Sequence, residues 1–312
     1  MDAVPEDRDP QRFTIHRASP RGFSQAYVHE GRGGVPIVLV HGWPETMRVY
    51  WRVIAPLVEA GFEVIVPDLR GFGASDIGPD GFHDVPSHVR DLHALVCGHL
   101  GHERVVLVGG DLGGPVIQDW ALRFPDTVER MVLFNSPLPY LKDAMAHLRT
   151  RSTRESRDYF VRQGTDADAL AAELATPGER RRYIATFYTS RFWAHPGAFS
   201  AEEVDFHTEP FADGDKLRAG FGGYESVFSA AARSEPSVVG RNGHTETLVL
   251  FGPSDHVIFP DFDRMAAVVF ERCVGPFLLR DCGHFVPWEA PAVLVSATRA
   301  FCRDLLAGRR GA

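Results

Sequence analysis

Six short stretches of this chain run apolar with hardly a polar break. They are Val35–Val40, Glu63-Val64-Ile65-Val66, Val105-Val106-Leu107-Val108, Met131-Val132-Leu133-Phe134, Thr247–Phe251 and Pro276-Phe277-Leu278-Leu279. Runs of this length predict strands covered on both faces. Helical periodicity fills most of the gaps, at 51–60, 87–100, 115–122 and 261–272. Alternating strands and helices predict an α/β fold, a mostly parallel sheet with helices on both faces. Ahead of the first run, Phe13-Thr14-Ile15-His16 and Gln25-Ala26-Tyr27-Val28-His29 predict two short strands joined by a turn at Pro20-Arg21-Gly22.

The alternation stops after Ser136. From there to Pro236 the chain is rich in arginine, alanine and glutamate, is helical in pattern at 167–175 and 179–188, and carries no strand signal. Proline-containing segments, Ser136-Pro137-Leu138-Pro139 and Ser234-Glu235-Pro236-Ser237, bound it. The expected organisation is a core made of 1–136 and 237–312, with an inserted helical cap at 137–236.

Composition narrows the class. The chain has 312 residues, 24% charged and 44% hydrophobic, enough for one large domain with an insertion. A formal net charge of −8 disfavours a nucleic-acid surface. Cys97, Cys273, Cys282 and Cys302 form no CxxC pair, so neither a zinc site nor a redox motif is expected. Residues 1–11 lack the basic start and apolar centre of a leader, and no apolar run reaches membrane-spanning length. These features lead to the expectation of a cytoplasmic protein with no membrane partner.

The chemistry gathers around Asp111. It lies in Gly109-Gly110-Asp111-Leu112-Gly113-Gly114, between an apolar strand and a helix, which is the setting of a nucleophile elbow. Aspartate is also a favoured helix N-cap, so the turn alone leaves both roles open. A carboxylate can displace a leaving group from saturated carbon and form an ester, which water activated by a general base then hydrolyses. His284, in Asp281-Cys282-Gly283-His284-Phe285 after the last strand, is the expected base. Asp255, after Phe251-Gly252-Pro253-Ser254, gives the order nucleophile, acid, histidine. The other position for the acid, after Phe134, holds the uncharged Asn135. His41-Gly42-Trp43-Pro44-Glu45 follows the strand ending at Val40, and the amides of Trp43 and Leu112 are the expected oxyanion hole.

These motifs together resemble the α/β-hydrolase superfamily, and within it the epoxide hydrolase branch, over nearly the whole chain. His41-Gly42-Trp43-Pro44 is similar to the branch's HGxP motif, and Pro67-Asp68-Leu69-Arg70-Gly71-Phe72-Gly73-Ala74-Ser75 to the family's loop after the next strand. The resemblance implies an α/β-hydrolase fold and a cofactor- and metal-independent enzyme that opens a small apolar epoxide with water to a vicinal diol. It also implies two cap tyrosines that donate to the epoxide oxygen, matched here by Tyr224 and Tyr159. Phe187, Phe192 and Phe228 are expected to line the pocket, with His41, Pro44, Trp193 and Phe285 as substrate-binding residues. The pair Gly222-Gly223 before Tyr224 departs from the pattern and is expected to widen or loosen that pocket. A homodimer is among the assemblies allowed.

Two rivals remain. A haloalkane or haloacid dehalogenase would use the same triad, but Leu112 supplies no side-chain donor to a halide or substrate carboxylate; Trp43 and Trp193 could still donate. A non-catalytic ligand-binding protein on the same scaffold would be expected to show a damaged triad, and none is seen.

Overall fold

The apolar runs assemble into one eight-stranded sheet with the order β1-β2-β4-β3-β5-β6-β7-β8. The computed structural model describes residues 6–309. Residues 1–5, part of the stretch read above as lacking a leader, and 310–312 lie outside the described residues. The strands are β1 (Ile15–Ala18), β2 (Gln25–Glu30), β3 (Val35–Val40), β4 (Phe62–Pro67), β5 (Val105–Gly110), β6 (Val128–Phe134), β7 (Thr247–Phe251) and β8 (Cys273–Leu278). β1 and β2 form the antiparallel edge, and every pairing from β4 to β8 is parallel.

Every residue of β3, β4 and β5 is buried, as doubly covered strands require. β8 departs from the expectation. Its apolar run is half uncovered, with Phe277 51% and Leu278 60% exposed. It is the outer strand, and its register against β7 shifts between Leu248 and Leu250, so only one neighbour shields it.

The crossovers of the first half are α1 (Trp51–Ala60), α2 (Val85–His93) and α3 (Gly113–Arg123). α1 buries Trp51, Val53, Ile54, Leu57 and Ala60, an apolar stripe at helical spacing. α2 starts at Asp84, whose carboxylate accepts from the Ser87 amide, and passes at Ala94–His99 into a π-helical stretch. His83, just ahead of α2, and His88, on it, are both buried, and the His88 ring packs against Phe72.

Between β6 and β7 the described residues form helices and no named strand. These are α4 (Lys142–Met145), α5 (Asp158–Thr165), α6 (Ala167–Glu173), α7 (Pro177–Tyr188), α8 (Ala201–Thr208), α9 (Gly214–Gly220) and α10 (Gly222–Phe228). Capping boxes, Thr176 with Glu179 and Ser200 with Glu203, start α7 and α8. The stretch is tied to the sheet's loops at several points. Tyr188 donates to the Pro44 carbonyl at 2.6 Å, Lys216 to the Gly73 carbonyl at 2.7 Å, and Arg48 pairs with Glu209 at 2.7 Å. The chain closes with α11 (Phe262–Val269), α12 (Val286–Glu289), α13 (Pro291–Phe301) and α14 (Arg303–Arg309). No helix among the described residues is long and apolar enough to cross a membrane.

Candidate active site

β5 delivers Asp111 to the carboxyl end of the sheet in a conformation that side chains seldom adopt, with φ of 43°. Such strain at a strand-to-helix turn holds a side chain outward over the sheet edge. The glycines around it are required by close approach. A Cβ on Gly42 would lie 2.5 Å from the Asp111 Cβ, and one on Gly113 2.2 Å from the Val40 carbonyl oxygen.

The Asp111 carboxylate is held asymmetrically. Its Oδ1 accepts from the amides of Trp43 at 2.8 Å and Leu112 at 2.6 Å. Its Oδ2 faces His284 Nε2 at 3.2 Å, without hydrogen-bond alignment. His284 Nδ1 donates to Asp255 Oδ2 at 2.7 Å, and Asp255 Oδ1 accepts from the amides of Val257 and Ile258. Burial alone would push the His284 imidazolium toward losing its proton. The Asp255 and Asp111 carboxylates outweigh it and hold His284 well above the usual histidine range.

The β3 loop supplies the second wall. His41 is fully buried, accepts from the Leu69 amide at Nε2 and donates from Nδ1 to the Gly42 carbonyl. Burial lowers its pKa to about 4. Both ring nitrogens are engaged by backbone, so His41 shapes the turn and offers nothing to a ligand. The Trp43–Pro44 bond is cis.

Opposite Asp111 stands an aromatic group drawn from the helical stretch. The Tyr159 ring stacks on Trp43 at 5.7 Å, and Tyr224 meets Trp43 edge-on at 5.4 Å. Phe187 and Trp193 complete the group, and Trp193 lies 4.5 Å from the His284 ring. Burial, with Asp111 nearby, raises both tyrosine pKa values well above 10, so both phenols keep their protons. The other tyrosines of the stretch point to different work. Tyr183 accepts from Gln163, Tyr188 donates to Pro44, and Tyr140 is 56% exposed. A cavity of about 360 Å³ runs from the exposed Glu155, Asp158 and Arg162 inward to Tyr159, Phe187 and Trp193.

Two expected pocket residues sit elsewhere. Phe285 is sealed between Tyr188, Phe199 and Trp193, and Phe228 is 46% exposed and packs on Phe160. The glycine pair before Tyr224 does not loosen the wall at its first member. A Cβ on Gly222 would lie 2.8 Å from the His83 Cβ, so the small residue brings α10 close to the core.

Sequence reasoning missed two carboxyls, the buried Glu45 and the half-buried Glu289. Glu45 Oε2 accepts from the Gly42 amide at 2.5 Å; burial raises its pKa to about 7, against the pull of the His284 charge. Its signal was an acid three residues after Gly42, the spacing at which a side chain reaches back to an amide. Glu289 accepts from the amides flanking His284, Gly283 at 2.7 Å and Phe285 at 2.9 Å, and from His195 at 2.9 Å. No local pattern announces that role.

A family model described as alpha/beta hydrolase fold matches residues 35–291. The soluble epoxide hydrolase of Corynebacterium sp. (strain C12) is 28% identical over 94% of this chain and 98% of its own length. A cis-3-alkyl-4-alkyloxetan-2-one decarboxylase of Shewanella oneidensis is 26% identical over 94% of this chain and 89% of its own. Among solved structures, the ligand-free epoxide hydrolase CorEH superposes with a TM-score of 0.80 at 26% identity, covering 94% of this chain and 99% of that one. The match to the family model, over well more than half of the sequence, establishes that the chain belongs to the α/β-hydrolase fold family.

Proposed function

We propose that this protein is an epoxide hydrolase, with Asp111 as nucleophile, His284 and Asp255 as base and acid, Tyr159 and Tyr224 as proton donors, and residues 137–236 as the cap. The observation that carries the proposal is the pair of tyrosines packed against Trp43 near Asp111, whose Oδ1 takes both amides and whose Oδ2 is left with only the His284 ring beside it.

Asp111 Oδ2 attacks one epoxide carbon, the ring C–O bond breaks, and a tyrosine hydroxyl gives its proton to the departing oxygen. Esterification removes the negative charge that helps hold His284 protonated. The imidazole pKa falls, its proton returns to the tyrosinate left by ring opening, and Nε2 becomes a base for water. That water adds to the Asp111 Cγ, its proton going to His284. The resulting oxyanion at Oδ1 already faces the Trp43 and Leu112 amides, each donor being worth roughly 2.7–4 kcal/mol in measured cases. Collapse expels the diol, which takes the proton from His284 and carries the former Oδ2; the carboxylic acid left at Asp111 then gives its proton to His284 and restores the resting pair. Glu45, ionising near neutrality beside this pair, adds a further charge that steadies the imidazolium.

The aromatic lining favours a small apolar epoxide. Four unpaired cysteines fit a reducing cytoplasm. A homodimer would draw on the exposed apolar edge of β8 and is checked by light scattering.

The test is a diol assay on styrene oxide and aliphatic epoxides beside a halide assay on bromoalkanes. Diol without halide is expected. Halide release without diol would overturn the reading in favour of a dehalogenase. That second reading rests on the Trp43 indole Nε1, which is buried without a partner in the same aromatic group. A single turnover in heavy-oxygen water should give unlabelled diol; label in the first diol would mean direct attack by water.

A further inference from the structure

We propose that His29, Glu63 and His102 form a binding site for a divalent transition metal of the zinc class, at the end of the sheet remote from Asp111. One donor atom from each of the three lies within 4.8 Å of the others. His29 Nε2 is 2.7 Å and His102 Nε2 3.4 Å from the same carboxylate oxygen, Glu63 Oε1. The fold brings them together from distant positions. His29 is near the end of β2, Glu63 at the start of the neighbouring β4, and His102 in the loop before β5. That loop precedes β5 and Asp111 follows it, so the cluster and the candidate active site occupy opposite ends of one strand.

Three features separate the cluster from an ordinary buried hydrogen bond. First, the donors suit the ion. Two imidazoles and one carboxylate are a recurring zinc set, whereas magnesium and calcium take oxygen ligands. Ligands about 2.1 Å from a tetrahedral ion stand about 3.4 Å apart. The His102–Glu63 pair is already at that separation, and the His29–Glu63 pair has to open by about 0.7 Å. Second, His102 Nε2 is buried and finds no hydrogen-bond partner, although it faces Glu63. A neutral imidazole with an unpartnered ring nitrogen has a lone pair to give an ion. A lone hydrogen-bonded pair, His29 with Glu63, would not need a second imidazole brought to the same oxygen. Third, Glu63 is oriented from behind. Its Oε2 accepts from the Gly33 amide at 2.9 Å, the kind of outer contact that fixes a metal-binding carboxylate.

An entry path exists, since a surface cleft of about 420 Å³, lined by Pro36, His102, Glu103, Arg104 and Arg309, opens beside His102. The bound ion would join β2, β4 and the loop before β5, and would act as a staple with no part in the chemistry at Asp111.

Calorimetric titration of the chelator-treated protein with zinc chloride tests the site. One zinc per chain is expected, with no heat from magnesium. At zinc 100-fold above Kd, Tm should rise by roughly 5 °C. His102→Ala, on a loop, should lower affinity at least tenfold and abolish the Tm rise. Glu63→Gln should do the same and leaves His102→Ala as the decisive variant if it folds poorly. Cobalt should give the visible bands of a tetrahedral ion in the wild type and not in His102→Ala. Zinc binding no tighter than magnesium, or unchanged affinity in His102→Ala, would overturn the proposal.

Discussion

The two ends of the central strands carry mirror-image arrangements of the same side chains. At the carboxyl end one imidazole, His284, stands between two carboxylates, Asp111 and Asp255. At the amino end one carboxylate, Glu63, stands between two imidazoles, His29 and His102. Burial lowers both histidines, and the number of anions beside each decides whether that is overcome. Two anions around one buried histidine keep it protonated until one of them is consumed, which suits a base that must wait for an ester to form. At the other end burial lowers His102, and the single anion, Glu63, does not offset it, so the ring keeps an unpartnered Nε2 that suits a ligand set. Position matters as well. The Asp111 end lies under an aromatic group and a helical stretch, while the other opens to a surface cleft.

The largest break in this comparison should come from Asp111→Ala, which removes the proposed nucleophile; turnover of styrene oxide is expected to fall by roughly 10⁴-fold or more. Retained diol formation would sink the covalent scheme. Next come His284→Gln and Asp255→Asn, each lowering steady-state turnover roughly 10²–10⁴-fold while alkylation of Asp111 persists. Intact-mass measurement should then find one substrate equivalent on His284→Gln enzyme. A naked enzyme mass under saturating epoxide would show that His284 is needed before the ester forms.

A smaller effect separates positioning from chemistry. Glu289 touches no reacting atom; it holds the amides on either side of His284 and adds negative charge near the ring. Glu289→Gln should lower kcat about tenfold, with KM nearly unchanged. Because a neutral amide no longer favours the imidazolium, the acid limb of ester hydrolysis should move to lower pH. A loss of kcat with an unmoved acid limb would reduce Glu289 to scaffolding.

How far the sequence carried these conclusions depends on the distance over which each signal acts. The run Val35–Val40 and the stripe from Trp51 to Ala60 are local, and both elements form over the same residues. Asp111, His284 and Asp255 each follow a strand, so parallel order alone brings them to one edge of the sheet. Edge position is not local. The four apolar residues at 276–279 read like any buried strand, yet Phe277 and Leu278 end exposed because nothing pairs beyond β8. Contacts across the fold were invisible for the same reason. The burial of His88, the grip of Glu289 on the His284 loop, and the meeting of His29, Glu63 and His102 all depend on residues far apart in the chain. Phe285 shows the converse error: expected at the substrate as an aromatic residue, it is fully buried and stacks on Tyr188.

The smallest expected effect is on stability, and the two ends should pull it in opposite directions with pH. His284 is raised in the folded protein, so the unfolded chain releases its proton first as pH rises above about 6.5. Its stabilisation is therefore complete below that pH and drains away through the alkaline range, toward the folded value. His102 is lowered, so the unfolded chain takes up a proton first as pH falls below about 6.5, and its end loses stability in acid. Urea midpoints measured from pH 5 to 9 should separate the two. His284→Gln should flatten the alkaline limb and His102→Gln the acid limb, each by roughly 0.2–0.5 M in midpoint. Glu63→Gln should steepen the acid limb, as His102 loses the anion that favours its charged form while remaining buried. If His102→Gln instead altered the alkaline limb, the ring would be charged at neutral pH, and the contrast between the two ends of the sheet would fail.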